Sequence, residues 1–191
     1  MKITNVIGTS GSGKTTFAKV LAETLNSTYI ELDNLFWKDD WQESTNEELT
    51  QKYLDAIKNV KKNATMSEVV VDGCYSRFRH LIWNDVDTVI WINIPFHINL
   101  YQTLKRAFGR VISQEKLWQN SNNTESLKMI LSKDSIILWM LKTYFKNRKK
   151  YANWTKESQY SHIQFIELNS RKEIELYLDA LIARNNKLQN K

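Results

Sequence analysis

The feature that most limits how this chain can fold is a run of eight residues near its start, Gly8-Thr9-Ser10-Gly11-Ser12-Gly13-Lys14-Thr15. It follows the branched, apolar stretch Ile3-Thr4-Asn5-Val6-Ile7 and precedes Phe17, Ala18, Leu21 and Leu25, which fall on one face at helical spacing. A strand must end and a helix must begin inside this run. Gly-x-x-x-x-Gly-Lys-[Ser/Thr] in that setting is a Walker A loop, which aims unpaired backbone N–H groups and a helix N-terminus at phosphate oxygens. Gly8, Gly11 and Gly13 allow the backbone to approach a phosphate without an intervening side chain. Thr9, Ser10, Ser12 and Thr16 complete the cradle, Lys14 supplies a point charge for the terminal phosphates, and Thr15 offers its hydroxyl to Mg²⁺.

The remainder of the chain repeats the strand-then-helix pattern. Apolar runs rich in branched residues recur at about 28–32, 68–72, 86–94 and 163–168, with helical periodicity between them. Such an order implies a mostly parallel sheet covered on both faces. Thr45 with Glu48, and Ser170 with Glu173, have the spacing of capping boxes that start helices. Ile98, Tyr101, Leu104, Phe108 and Val111 mark another helix, with Arg106 and Arg110 one turn apart on a neighbouring face. The polar stretch 113–126 breaks the periodicity, and a single long helix is expected over about 125–150. We expect one domain, 1–191, with 106–126 as a mobile lid.

A length of 191 residues suits one domain with a two-sided core. The single cysteine, Cys74, can form no disulfide within the chain and has no partner at metal-ligand spacing, which fits a reducing compartment. No apolar run approaches the roughly 20 residues of a membrane span, and no apolar leader precedes the first strand. The expectation is a cytoplasmic protein, monomer or homodimer, without a membrane partner. The net charge of +6 admits either attraction to nucleic acid or a cationic cleft for a polyanionic nucleotide. Its clearest basic clusters, Lys61-Lys62 and Lys146-Asn147-Arg148-Lys149-Lys150, lie in helix-like sequence, where such runs are usually solvated faces.

GTPases need an Asn-Lys-x-Asp base-reading motif, which is absent, and the larger ABC and AAA+ machines need more chain, signature motifs and partner arginines. A small-molecule kinase fits the size best. Its acceptor would enter outside the carboxyl ends of the second and third strands. Asp33, after Ile30-Glu31-Leu32, stands where it can accept a hydroxyl proton, orient the Mg²⁺ shell, or merely cap the chain. Asp72 and Gly73 close the run Val69-Val70-Val71 and offer a metal-holding or acceptor-contacting carboxylate. Arg77 can hold an anionic group of the acceptor, Arg148 can reach back from the long helix, and Trp37, with Phe36 and Trp41, can stack on a ring or pack the core. Arg106 and Arg110 are candidates for stabilising charge on a transferring phosphoryl group, or Arg106 for stacking on a base.

Leu32-Asp33-Asn34-Leu35-Phe36-Trp37, Val71-Asp72-Gly73-Cys74-Tyr75-Ser76 with Arg77, Leu81-Ile82-Trp83 and Val89-Ile90-Trp91-Ile92-Asn93-Ile94-Pro95 resemble the adenylate-kinase-related proteins often labelled DNA topology modulation proteins. The resemblance extends to Leu117-Trp118 and to Trp139, Tyr144, Arg148 and Tyr151. It implies an α/β, three-layer P-loop NTPase fold of the nucleotide-kinase type, with a five-stranded, mostly parallel sheet and a short helical lid. It also implies ATP and Mg²⁺ as ligands and leaves the small-molecule acceptor open. Relatives commonly carry a Gly-Asn pair after the lid Leu-Trp and more lid arginines; here the stretch is Gln119-Asn120-Ser121-Asn122, and the arginines reduce to Arg106 and Arg110. Besides the kinase, two other readings stand at this stage: a nucleic-acid-associated ATPase or ATP-dependent DNA topology modulation protein, and a nucleotide sensor without turnover.

Overall fold

Each of the five apolar runs forms a strand, and all five lie side by side in parallel. The computed structural model describes residues 1–62, 68–133 and 135–189. The strands are β1 (Lys2–Gly8), β2 (Thr28–Glu31), β3 (Glu68–Asp72), β4 (Thr88–Ile92) and β5 (Gln164–Leu168), in the spatial order β2-β3-β1-β4-β5. The helices are α1 (Lys14–Thr24), α2 (Leu32–Phe36), α3 (Asn46–Lys62), α4 (Arg79–Trp83), α5 (Phe96–Ser113), α6 (Leu127–Ile130), α7 (Ile136–Trp154) and α8 (Arg171–Gln189). No helix among the described residues is long and apolar enough to cross a membrane.

Alternation along the strands sorts the core into two layers. Ile3, Ile7, Val69, Val71, Val89 and Trp91 face α3, α4 and the end of α7; Val6, Val70, Ile90 and Ile92 face α1 and α8. The parity that sends Val70 toward α1 sends Asp72 the same way, beneath the start of the helix that carries Lys14. Asn5 falls in the opposite layer and is fully buried. Its amide nitrogen donates to the carbonyls of Val71 and Gly73, each at 2.9 Å, and its oxygen accepts from the Trp83 indole at 2.8 Å. One side chain on the central strand thus fixes the turn at the end of β3, where Gly73 adopts a left-handed φ of 102°.

The long helix expected over 125–150 is divided. Ser126 caps α6 by accepting from Met129 N, and Ser135 caps α7 by accepting from Ile137 N. Two serines at N-cap positions make two helix starts where apolar periodicity alone suggested one; residue 134, within the expected helix, lies outside the described residues. Arg106 and Arg110, expected in the lid, sit inside α5, which ends at Gln114 in a left-handed conformation, φ 50°. The capping box at Thr45 forms as expected: Glu48 N donates to Thr45 Oγ1 at 3.2 Å and Thr45 N to Glu48 Oε2 at 2.8 Å.

Replacing Asn5 by leucine strands two buried carbonyls and an indole N–H, so we expect a loss of roughly 3 kcal/mol of unfolding free energy. Urea denaturation followed by tryptophan fluorescence measures it.

Candidate active site

The loop between β1 and α1 takes up the geometry its glycines permit. Gly11 and Gly13 have φ of 82° and 87°. A Cβ at Gly8 would stand 2.9 Å from the Ile92 carbonyl oxygen, and one at Gly11 only 1.9 Å from the Thr103 hydroxyl. No side chain caps α1 and no acidic residue occupies its first turn. Its first N–H groups and the positive end of its dipole are therefore left for an anion.

The loop is braced from outside by α5. Asn99, Gln102, Thr103 and Arg106 share one stripe of that helix. Thr9 Oγ1 donates to Asn99 Oδ1 at 3.0 Å, Asn99 Nδ2 donates to the Ser10 carbonyl at 2.7 Å, and Arg106 Nη2 donates to Ser10 Oγ at 3.1 Å. Gln102, with its amide turned to satisfy both neighbours, donates to the Gly11 carbonyl at 2.7 Å and accepts from Arg171 at 3.1 Å. Arg106 is half-buried, and its buried Nε has no hydrogen-bond partner among the described residues. Burial, followed by the nearby Arg110, pushes its pKa down from the usual guanidinium range. An arginine held this way beside a phosphate loop is short of negative charge.

Beneath the loop, Asp72 is 2% exposed. Its Oδ2 accepts from the Tyr29 hydroxyl at 3.0 Å, whereas its Oδ1 is buried without a hydrogen bond to any described residue. Burial pushes the Asp72 carboxyl above its ordinary range, against the pull of Lys14 and Thr15. Glu31, at the end of β2, is raised by burial and then by Asp72. Burial and Asp72 push the Tyr29 phenol up as well, so it remains a donor. The unpaired buried oxygen of Asp72 and the hydroxyl of Thr15 are hard oxygen donors of the kind that fit Mg²⁺.

A single cleft of 1730 Å³ runs from this loop to a second wall. Asp33 lies in the first turn of α2 and accepts a short hydrogen bond from the Tyr75 hydroxyl, whose pKa is pushed up by burial and by Asp33. Phe36 stacks against Tyr75, with centroids 4.4 Å apart, and Arg77 lies over Phe36 at 5.1 Å. Trp37 stacks on Trp118 at 5.9 Å, and Trp41 meets both edge-on.

Trp118 belongs to the segment between α5 and α6, and hydrogen bonds hold that segment to the loop after α2. Asn123 is 4% exposed, accepts from Trp41 N at 3.1 Å and donates to the Lys38 carbonyl at 2.8 Å. Asn122 N donates to Asp39 and Asn120 N to Asn34, at 2.6 and 3.0 Å.

The residues singled out from sequence meet different fates. Residues 10–16, Asp33, Trp37, Arg77, Arg106 and Arg110 line the cleft. Asp72, the last residue of β3 beside β1, and Gly73 just after it do not line the cleft. Arg77 forms an ion pair with Glu43 at 3.3 Å, and Arg110 another with the buried Glu125 at 3.4 Å. Arg148 does not line the cleft: it projects from α7 onto Tyr144, 5.7 Å from the ring centroid, because α7 packs along α5 instead of across the acceptor wall. Sequence reasoning missed Asn99, Gln102 and Thr103, whose polar stripe at helical spacing was a usable signal. It also missed Tyr75, Glu43 and Asn123, for which no local signal exists.

Strand order and site together define a P-loop nucleotide-binding protein with a kinase-like fold. The chain belongs to the AAA domain family, whose model matches residues 5–128, from β1 through the segment bearing Trp118. That description differs from the DNA topology modulation label suggested by the ordered tryptophans. No curated protein matches the sequence. Among solved structures it is similar to a shikimate kinase from Acinetobacter baumannii in complex with shikimate, at 16% identity and TM-score 0.52, covering 100% of this chain and 95% of that one. A sugar kinase from Janibacter sp. is similar at 15% identity and TM-score 0.50, with the same coverage. An uncharacterized protein from Eubacterium ventriosum gives 17% and 0.50, covering 96% of this chain and 98% of that one. At these identities the likeness is one of fold.

The raised carboxyls of Asp72 and Glu31 set the sign of a pH effect. Between the ordinary carboxylate range and their raised native values, the native state holds protons the unfolded chain has lost, so stability falls as pH rises through that window. We expect Asp72→Asn to raise the melting temperature of the unliganded protein at neutral pH and to flatten this slope. Thermal melts from about pH 4 to 8 check it.

Proposed function

We propose that this protein is a phosphotransferase that moves the terminal phosphoryl group of Mg²⁺·ATP to the hydroxyl of a small-molecule acceptor. The observation that carries the reading is the cleft itself: it joins Lys14 and the uncapped N-terminus of α1 to Asp33, which the Tyr75 phenol orients. A nucleotide sensor has no need of a positioned carboxylate across from the phosphate loop. ATP over GTP rests on the missing guanine-reading motif and on the family resemblance.

In this reading the backbone N–H groups of residues 8–15 and the α1 dipole hold the phosphates, and Lys14 neutralises charge that builds on the transferring group. Thr15 and Asp72 would hold Mg²⁺, which would offset phosphate charge when bound. Arg106, anchored on Ser10, adds a second cation on the P-loop side. Asp33 accepts the acceptor's hydrogen bond and takes its proton as the new P–O bond forms, while Tyr75 donates to the same carboxylate and fixes its orientation. Because the transition state of phosphoryl transfer is loose, these contributions are mostly positioning and charge neutralisation. Within the expected lid, 106–126, the part after α5 closes over the reacting groups and excludes water, with Trp118 and Asn123 as its points of contact.

The basic run on α7, which motivated a nucleic-acid partner, does not form one free face. Lys150 donates to Ser76 at 2.9 Å and Arg148 is engaged with Tyr144, which leaves Lys146 and Lys149 as its exposed members.

Lys14→Ala is expected to lower kcat for ADP formation by about 10²–10³-fold or more without changing the melting temperature appreciably. Coupled-enzyme assays across nucleosides, sugars, hydroxy acids and nucleotides supply the measurement. Full acceptor phosphorylation by the variant would overturn the mechanism.

A further inference from the structure

The acceptor wall carries a charge balance that narrows the class of acceptor. Sequence reading offered Arg77 as the residue that would hold an acceptor's anionic group. In the structure that charge is already answered: Arg77 Nη2 lies 3.3 Å from Glu43 Oε2. Glu43 is fixed in turn, because its segment bridges back to Trp37 in a short antiparallel pairing. Asp33 stands on the same wall, joined to it through Tyr75 and Phe36. The Asp33, Glu43 and Arg77 side chains together carry a net charge of about −1 at neutral pH.

Two further cations near this wall are also paired, while Lys105, Lys133 and Lys142 line the cleft on the side of α5 to α7. Lys38 is paired with Glu48 at 2.7 Å and Arg110 with Glu125 at 3.4 Å. Arg106 and Arg171 are turned toward the phosphate loop, through Ser10 and Gln102. An acceptor bearing a carboxylate or phosphate would have to take Arg77 from Glu43 and leave that carboxylate beside its own charge, next to Asp33. Like charges brought together in such a site repel and disfavour the anionic acceptor. What the wall offers instead is aromatic surface, Phe36, Trp37, Trp41 and Trp118, together with a hydrogen-bond acceptor in Asp33. Flat or puckered rings stack on such faces, and a hydroxyl supplies the donor.

We propose that the acceptor is a ring-bearing alcohol without an anionic group, stacked against Trp37 and Trp118 with its reacting hydroxyl at Asp33. The Glu43–Arg77 pair acts as a specificity filter that rejects the phosphorylated or carboxylated counterparts. This rests on the kinase reading above and deepens it.

The test uses the full chain with Mg²⁺·ATP and matched pairs of acceptors: nucleosides against nucleoside monophosphates, free sugars against sugar phosphates, and cyclic polyols against cyclic hydroxy acids. We expect phosphorylated product from the uncharged member of at least one pair, with kcat/KM at least about tenfold above that of its anionic counterpart. The pair that responds distinguishes a nucleoside from a sugar or cyclitol. E43Q, at an exposed position, frees Arg77 and should shift that ratio at least about tenfold toward the anionic member. Trp37→Ala should raise KM for the uncharged acceptor far more than it lowers kcat, and the acceptor should quench tryptophan fluorescence in the parent protein. Transfer that favours anionic members, or a ratio unmoved by E43Q, overturns this proposal and leaves the kinase reading intact. Absence of transfer to every acceptor, with ATP still bound, overturns both.

Discussion

A loop that points its N–H groups inward makes few bonds to itself, and here the polar stripe of α5 holds it. Three glycines make residues 8–13 costly to order. The opposing gain comes from Asn99, fully buried and satisfied on both sides, together with Gln102 and Arg106. Each hydrogen bond is worth about 1 kcal/mol net, but leaving Asn99 half-paired would cost more than making its bonds gains, so the arrangement tolerates little variation. The contact runs in both directions. Thr103 lies where a Cβ on residue 11 would fall, so the absence of a side chain on the loop is what admits the helix.

The same helix reaches the segment that joins it to α6. Arg106 touches the loop through Ser10, and one turn later Arg110 is paired with Glu125, a buried residue just before α6. The phosphate loop and the segment before α6 are therefore attached to one helix about one turn apart. Burial, and then Arg110, lowers the Arg106 pKa, and Glu125 offsets part of that effect.

What could be read from the chain and what could not divides along sequence distance. The five strands, their parallel arrangement and the P-loop were legible because each rests on a local period or a contiguous motif. Asp33 and Asp72 were legible because position at a strand end carries information once the sheet is known to be parallel. The split of the expected 125–150 helix followed from two serines whose capping role competes with apolar periodicity and wins locally. Arg148 misled because its register on α7 depends on how that helix rolls against α5, which no spacing reports. Glu43 and Asn123 were invisible for a related reason: their partners, Arg77 and Trp41, lie 34 and 82 residues away.

The segment joining α2 to α3 shows how far this wall of the cleft depends on the residues between α5 and α6. Asp40 and Trp41 both have left-handed backbones, with φ of 55° and 57°. For a residue as bulky as tryptophan this is an outlier, and such positions cost about 1–3 kcal/mol each. Nothing in the local sequence Lys38-Asp39-Asp40-Trp41 favours it. The conformation is held by contacts from the segment between α5 and α6: the Asn123 oxygen on Trp41 N, the Asn123 amide on the Lys38 carbonyl, and the Trp118 ring against Trp37 and Trp41. These contacts offset that strain, so the aromatic wall takes its present shape with Trp118 and Asn123 seated on it. Trp118 lies between α5 and α6 in sequence yet belongs by contact to the wall after α2.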